Sequence, residues 1–282
     1  MKNEILEMER AFFDRSHEIC EELAELMTSL EFTMESGVKE WLSSCVVDSK
    51  LSVSAGRIFL TKKEKEAFLL EAKAYEKAVK EKAFLSEWHQ ELIEILEKKN
   101  ITKMEAVRVH IAHGVHVFYG KELELIEGFL SELYVFVYEK VCELLRKNGG
   151  AKTGISVEEV LQKAWTPDEK NFYVRLEVQK KSLLVDLEKA IIRACAVGSG
   201  VQESIDVFVG SMQKFLKTVK NRVAGLILTE QSYFFNSAIH EAMVIGGVTS
   251  YEIVSMEEAG RSKICGEMHG KVMGVEAFLV GA

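Results

Sequence analysis

Hydrophobic and polar positions follow a helical spacing over most of the chain. In the first stretch, the apolar residues from Ile5 to Leu30 recur at intervals of three or four residues, with one interval of seven residues. This spacing places them on one face of an α-helix. A single proline in 282 residues permits long helices, because proline removes a backbone donor and interrupts them. The pattern predicts helices over about residues 5–36, 61–99, 101–147, 166–196 and 201–245.

Local signals mark several of the predicted helix ends. Gly37 and the Asn-Gly-Gly of residues 148–150 follow apolar stretches and are typical of helix C-termini. Thr166 is predicted to cap the fourth helix, with Pro167 at its first helical position. The last long helix is predicted to end at residues 246–247, which are both glycine.

Two regions depart from the helical pattern. Residues 37–60 include the alternating segment LSVSAGRIFL, for which an irregular link and a short strand both stay open. Residues 251–256 (YEIVSM) alternate like a strand, and Gly270-Lys271 is predicted to be the turn into a last short strand. The predicted fold class is therefore mainly α, with long amphipathic helices in an elongated bundle and a small C-terminal α+β module. The predicted domains are a helical body over residues 1–219, divisible into 1–119 and 120–219, and the module over residues 220–282.

The composition is that of a soluble globular protein, with 48% hydrophobic and 28% charged residues. No stretch approaches the ~20 apolar residues that span a bilayer, and the N-terminus has no apolar signal core. We therefore expect a cytoplasmic protein with no membrane partner. The five cysteines are scattered and form no CxxC pair, which favours reduced thiols over a disulfide framework.

The net charge of -8 argues against a surface dominated by nucleic-acid binding, since such affinity comes mainly from clustered Lys and Arg. A local exception lies between Asp206 and Glu230, where the chain carries basic residues and no acidic one. These basic residues are Lys214, Lys217, Lys220 and Arg222, and the first three are spaced to share a helix face. A solvated face and a contact with nucleic acid or a portal are the two interpretations.

Two groups of residues are candidates for metal ligation. His110, His113 and His116 could hold zinc or iron, but a spacing of three and three advances around a helix, and no Glu-x-x-His pair lies nearby. Cys265 and His269 are four residues apart and would supply half of a zinc site. We favour histidines without metal and a packing role for Cys265, so no metal and no cofactor is predicted. A metal-dependent helical-bundle enzyme or sensor that uses the three histidines is the alternative.

Catalytic and nucleotide-binding motifs are missing from the sequence, which contains no HExxH, GxSxG, P-loop or GxGxxG. Its many Glu and Asp residues have the spacing expected on the solvent-exposed faces of amphipathic helices. We therefore predict no enzymatic activity and no small-molecule substrate.

The last sixty residues carry an ordered series of features. A helix with a Leu-Ile-x-Thr-Glu motif precedes a Gly-Val turn, a strand that begins with Tyr, an acidic residue, Ser-x-x-Cys and a Gly-Lys-Val turn. These features fall on Leu226, Ile227, Thr229, Glu230, Gly247, Val248, Tyr251, Glu258, Ser262, Cys265, Gly270, Lys271 and Val272. Upstream, Trp165 and Arg175 belong to an aromatic and Leu-rich segment. Together they resemble the signature of the Mu F-like phage minor head proteins, in the branch found in Gram-positive phages and prophages.

This resemblance implies a structural virion protein, present in a few copies and associated with the portal vertex during procapsid assembly. Its implied partners are the portal protein and the major capsid and scaffold proteins, and DNA is left open as a further partner. It implies no catalysis, and because the chain stops at Ala282 we expect no toxin domain after the module. The implied location is the bacterial host cytoplasm during assembly and then the phage head.

Overall fold

The computed structural model describes residues 2–47, 50–146, 156–165, 169–196, 200–254 and 263–277. Of these residues 83% are helical, so the mainly α fold class is confirmed. The helices are α1 (Lys2–Ser43), α2 (Val53–Gly56), α3 (Lys62–Val79), α4 (Ser86–Glu97), α5 (Lys103–Arg146), α6 (Val157–Gln162), α7 (Phe172–Ala196), α8 (Val201–Ile245) and α9 (Lys263–Met268). The strands are β1 (Val46–Val47), β2 (Lys50–Leu51), β3 (Ser250–Glu252) and β4 (Val272–Gly274).

The C-terminal strands form a small antiparallel pair in which Tyr251 lies opposite Met273. The helix α9 lies between β3 and β4 in the chain, so this region combines helix and strand as predicted. Gly270 has a φ of +78°, a left-handed conformation that favours glycine, immediately before Lys271 and β4. The predicted turn into a last short strand is confirmed. In the open region 37–60, the strands β1 and β2 pair as a two-residue antiparallel ladder.

The described residues form two compact units. Unit 1 takes its residues from the ranges 1–18, 126–173 and 226–282, and unit 2 from 19–125 and 174–225. Each unit is therefore built from parts of the chain that are distant in sequence. The division at residue 220, between a helical body and a module, stays a prediction.

Each unit buries its own apolar core. In unit 1 the core comes from the second part of α5 and the second part of α8, with Leu130, Leu133 and Phe234 at 0%, 0% and 1% exposure. In unit 2 it includes Met34 of α1 and Trp88 of α4, which are 0% and 1% exposed. Burying such side chains stabilises a fold by about 1.5–3 kcal/mol each before chain entropy is counted.

The predicted end of the first helix at residues 36–37 is wrong, because α1 continues through Gly37 to Ser43. A Cβ at Gly37 would lie 1.8 Å from Nε2 of His110, far inside van der Waals contact. This glycine therefore allows the close approach of the His110 ring and does not end the helix.

Two other predicted helices differ from the structure. The helix predicted over 61–99 is divided into α3 and α4, which pack against each other and so bury Phe68 and Trp88 in the same unit. One straight helix would hold these side chains about 30 Å apart along its axis. The helix predicted from Thr166 begins only at Phe172, because Glu169 has a φ of +53° that no α-helix accepts. Thr166, like Pro167, lies outside the described residues.

Candidate functional site

A groove of about 870 Å³ runs through unit 1. Its walls are the first turns of α1, the end of α5, one side of α8 between Leu228 and Met243, and the β3 strand with the two residues that follow it. Most of the lining residues are apolar. The aromatic ones are Trp165, Tyr233, Phe235 and Tyr251. Such a lining is typical of a binding site and differs from that of ordinary solvent-exposed surface.

Trp165 is held firmly in the groove wall. Its indole lies parallel to the ring of Tyr233, with centroids 4.6 Å apart and planes at 7°. Its Nε1 donates a hydrogen bond of 2.9 Å to Oε2 of Glu230, a carboxylate that is 1% exposed. Because Tyr233 and Glu230 are three residues apart on α8, one helix face fixes both the position and the tilt of the indole.

The groove is acidic at two points. Glu9 of α1 and Glu252 of β3 contribute carboxyl groups, and no Lys, Arg or His is found among the described residues that line the groove. Glu9 is half-buried, and this burial raises the pKa of its carboxyl above the usual value. Both carboxyl groups therefore favour a cation as their neighbour.

The structure brings several residues of the proposed signature to this groove. Thr229 and Tyr251 line it, and Trp165 joins it to the buried Glu230. Leu226 and Ile227 are buried on α8 at 7% and 0% exposure, immediately before Leu228, the first α8 residue that lines the groove.

Gly270 and Lys271 form backbone hydrogen bonds with a residue that lines the groove. The backbone N–H of Gly270 donates to the carbonyl of Ile253 at 2.8 Å, and the N–H of Ile253 donates to the carbonyl of Lys271 at 2.9 Å. Ile253 itself lines the groove. The predicted turn thus positions one of the apolar lining residues.

Other signature residues are not among those that line the groove, or lie outside the described residues. Arg175 is on the first turn of α7 in unit 2. Cys265 is on α9, and His269 follows the last residue of that helix. Glu258 and Ser262 lie outside the described residues.

The basic residues predicted to share a face are all on α8 within unit 2. Lys214, Lys217, Lys220 and Arg222 are exposed to solvent. Their exposure agrees with either of the two interpretations, a solvated face or a contact surface.

The three histidines of α5 lie in unit 2 within a network of aromatic side chains. Nε2 of His110 donates to the carbonyl of Thr33 at 3.2 Å, while its Nδ1 lies 2.6 Å from the hydroxyl of Tyr75 and 3.1 Å from Oε1 of Glu71. His113 stacks on the Tyr75 ring with centroids 3.7 Å apart. Each nitrogen of His110 is therefore already engaged by the protein.

Trp88 completes this network. Its Nε1 donates to Nδ1 of His113 at 3.2 Å, and its ring stacks on His116 with centroids 4.8 Å apart. Burial, with the charge of His110 as a smaller cause, lowers the pKa of His113 to about 4, and burial lowers that of His116 to about 4 as well. Both rings are neutral at pH 7, which suits the acceptor role of His113.

Glu71 ties the network to α1. Burial raises the pKa of this carboxyl, but hydrogen bonds from His110, Tyr75 and Trp41 outweigh burial and lower it below the usual value. Within the part of the chain that the structure describes, no three His, Cys, Asp or Glu side chains are grouped so that they could hold a metal ion.

Sequence reasoning missed the residues that form most of the groove. Tyr233 and Asn236 lie in the segment QSYFFN of α8, whose density of aromatic residues is a usable signal. Glu9 follows Ile5 by four positions and so interrupts the apolar face of α1 with a carboxylate. An acidic residue inside an apolar stripe is a second signal that could have been used.

A comparison with protein-family models, with curated proteins and with solved structures found no match to this chain. Among the described helices, none combines the length and the apolar character needed to span a membrane.

Proposed function

We propose that this protein is a minor head protein of a phage or prophage, a structural component that docks at the portal vertex during procapsid assembly. One observation carries the proposal. Residues of the minor head signature from two distant parts of the sequence, Trp165 in one and Thr229, Glu230 and Tyr251 in the other, meet at a single groove in unit 1. A shared signature is expected to cluster in this way when it maintains one binding surface.

The groove itself suits a docking role. Its lining is apolar and aromatic, and exposed apolar surface of this kind commonly marks sites of association between proteins. Its polar groups are mainly hydroxyls, an amide and two carboxyls, with no grouping of a nucleophile, a base and an orienting group. This composition favours binding over catalysis.

The test is co-expression with the portal, scaffold and major capsid proteins encoded by the same genome. We expect the protein to co-purify with procapsids in a few copies per particle, as measured by quantitative mass spectrometry. Procapsids that assemble with the portal but never contain this protein would contradict the proposal.

A pair of variants assigns the docking surface. Ser232→Trp places a bulky side chain on an exposed position of the groove wall and is expected to reduce incorporation. Thr218→Trp is the matched control, because Thr218 is also exposed on α8, bonds the carbonyl four residues before it, as Ser232 does, and lies outside the groove. Equal incorporation of both variants would exclude the groove as the docking surface.

A further inference from the structure

We infer that the groove of unit 1 binds an amphipathic α-helix of a partner protein that presents a lysine or arginine to Glu9. The inference rests on the proposed docking function and adds to it the chemistry of the docked segment. Three properties of the groove carry it, namely its length, its apolar lining and its unbalanced negative charge.

The length of the groove favours an elongated ligand. The lining residues on α8 extend from Leu228 to Met243, which is about 22 Å along the helix axis at 1.5 Å per residue. Spread over this length, the volume of about 870 Å³ gives a mean cross-section of about 40 Å², roughly half that of a helix 10 Å across. The groove therefore accommodates one face of a helix, with the opposite face in solvent.

The lining matches the apolar face of such a helix. Ile5 and Leu6 of α1 line the groove together with the α8 side chains, and Val248 and Ile253 add further apolar surface. Helices that lie in apolar grooves anchor themselves with side chains at positions i, i+3, i+4 and i+7. Such a partner would bury these residues without leaving its own backbone groups unpaired, because an α-helix satisfies them internally.

Charge complementarity selects the polar group on the partner. Glu9 makes no hydrogen bond or ion pair with another described residue, and burial is the only cause that raises the pKa of its carboxyl. Glu252 adds a second, exposed carboxyl, and the described lining offers no cation to either. A Lys or Arg on the docked helix would supply the missing charge, whereas nucleic acid or an acidic helix would be repelled.

Fluorine NMR of the full chain labelled with 5-fluorotryptophan tests the inference. The chain has three tryptophans, and Trp165→Phe identifies the resonance of Trp165, the one in the groove. Trp41 and Trp88 are buried in unit 2 at 6% and 1% exposure and serve as internal controls. The probes are designed 18-residue amphipathic peptides with a leucine face, in which a single lysine occupies each position of that face in turn. A second set carries norleucine in place of lysine.

We expect at least one lysine peptide to shift the Trp165 resonance alone and to bind about tenfold more tightly than its norleucine counterpart, as a bond to a charged group predicts. Glu9→Gln should abolish this preference while keeping the side-chain shape. Glu7→Gln, an exposed position on the same helix that does not line the groove, should retain it. Glu9→Lys should reverse it, so that the peptide with glutamate at the same position binds more tightly.

Three results would overturn the inference. The first is the absence of a Trp165 shift with every peptide, and the second is a lysine preference that survives Glu9→Gln. The third is an equal shift with lysine peptides, norleucine peptides and octyl glucoside, which would identify a nonspecific apolar surface. Peptide binding without incorporation into procapsids would refute the proposed function and leave this inference standing, so the two failures are distinguishable.

Discussion

The groove of unit 1 and the histidine network of unit 2 use similar side chains in opposite ways. Both combine stacked aromatic rings with titratable groups. In the network, both nitrogens of His110 are hydrogen-bonded and Nδ1 of His113 accepts from Trp88, so these three ring nitrogens have partners within the unit. In the groove, the carboxyl of Glu9 has no partner among the described residues. Residue type alone therefore does not identify a functional site, because polar groups with internal partners stabilise the fold and those without remain available for binding.

Unit 2 contains an exception to this rule. Glu122 of α5 is 0% exposed, and neither of its carboxyl oxygens has a hydrogen-bond partner. Its burial raises the pKa of the carboxyl to about 8. The proton that it retains at neutral pH is the least costly way to bury it.

The largest expected change in stability comes from adding a side chain at Gly37, where the His110 ring packs against α1. Gly37→Ala would place a Cβ 1.8 Å from the ring of His110, and we expect it to destabilise the protein by about 3 kcal/mol through displacement of that ring. Gly210→Ala is the control, since a Cβ at Gly210 on α8 meets no atom within 4 Å. It should stabilise the protein by about 0.5–1 kcal/mol, as alanine does in a helix. Urea unfolding measures both, and equal effects would show that the close approach is not needed.

A comparable effect is expected from Glu122→Met, which removes the buried carboxyl at similar volume. Because the folded pKa is raised from 4.5 to about 8, the stability contributed by the protonated group is complete below pH 4.5 and is lost as the pH rises to about 8. The stability of the variant relative to the wild type should therefore increase by about 3 kcal/mol between pH 5 and pH 8. Urea unfolding at both pH values tests this.

Glu124→Met is the matched control for that experiment. Glu124 lies two residues further along the same helix and is exposed. Its replacement should change stability little and equally at pH 5 and pH 8. If Glu122→Met behaves in the same way, the buried carboxyl has no influence on the pH dependence of folding.

The smallest expected effect concerns the wall of the groove. Trp165→Phe retains an aromatic ring against Tyr233 but loses the hydrogen bond to Glu230, and we expect a loss of about 1–2 kcal/mol. In a double-mutant cycle with Glu230→Gln, the two losses should add to more than the loss in the double variant. Additive losses would mean that the indole and the carboxylate do not stabilise each other. Urea unfolding followed by circular dichroism measures the cycle.

Much of the local structure was predictable because its causes are local. The end of α7 at Ala196 and of α8 at Ile245 follow from the apolar pattern and the glycines after it. The beginning of α3 follows from a capping box, in which the side chains of Thr61 and Glu64 bond to each other's backbone N–H. In such cases the interacting groups are within four residues of one another, so the sequence pattern contains the whole interaction.

The errors have tertiary causes. Gly37 carries the ordinary signal of a helix end, yet α1 passes through it because the His110 ring fills the space that a side chain would need. The break between α3 and α4 carries no proline or glycine and follows from packing Phe68 and Trp88 into the same unit. No local pattern contains these contacts, since the partners are many residues apart.

The helical class, most helix positions and the short strand after Gly270 follow from the amino-acid sequence, because spacing, capping and backbone freedom act over a few residues. The proposed relationship to minor head proteins rests on sequence features that include Trp165, Glu230 and Tyr251. The tertiary structure, in contrast, supplies the hydrogen-bond partners of His110 and His113 and places Glu9 in the same groove as Trp165. The physical reason is that a buried polar group finds its hydrogen-bond partner on a side chain that is distant in sequence. Only the folded chain brings the two groups together.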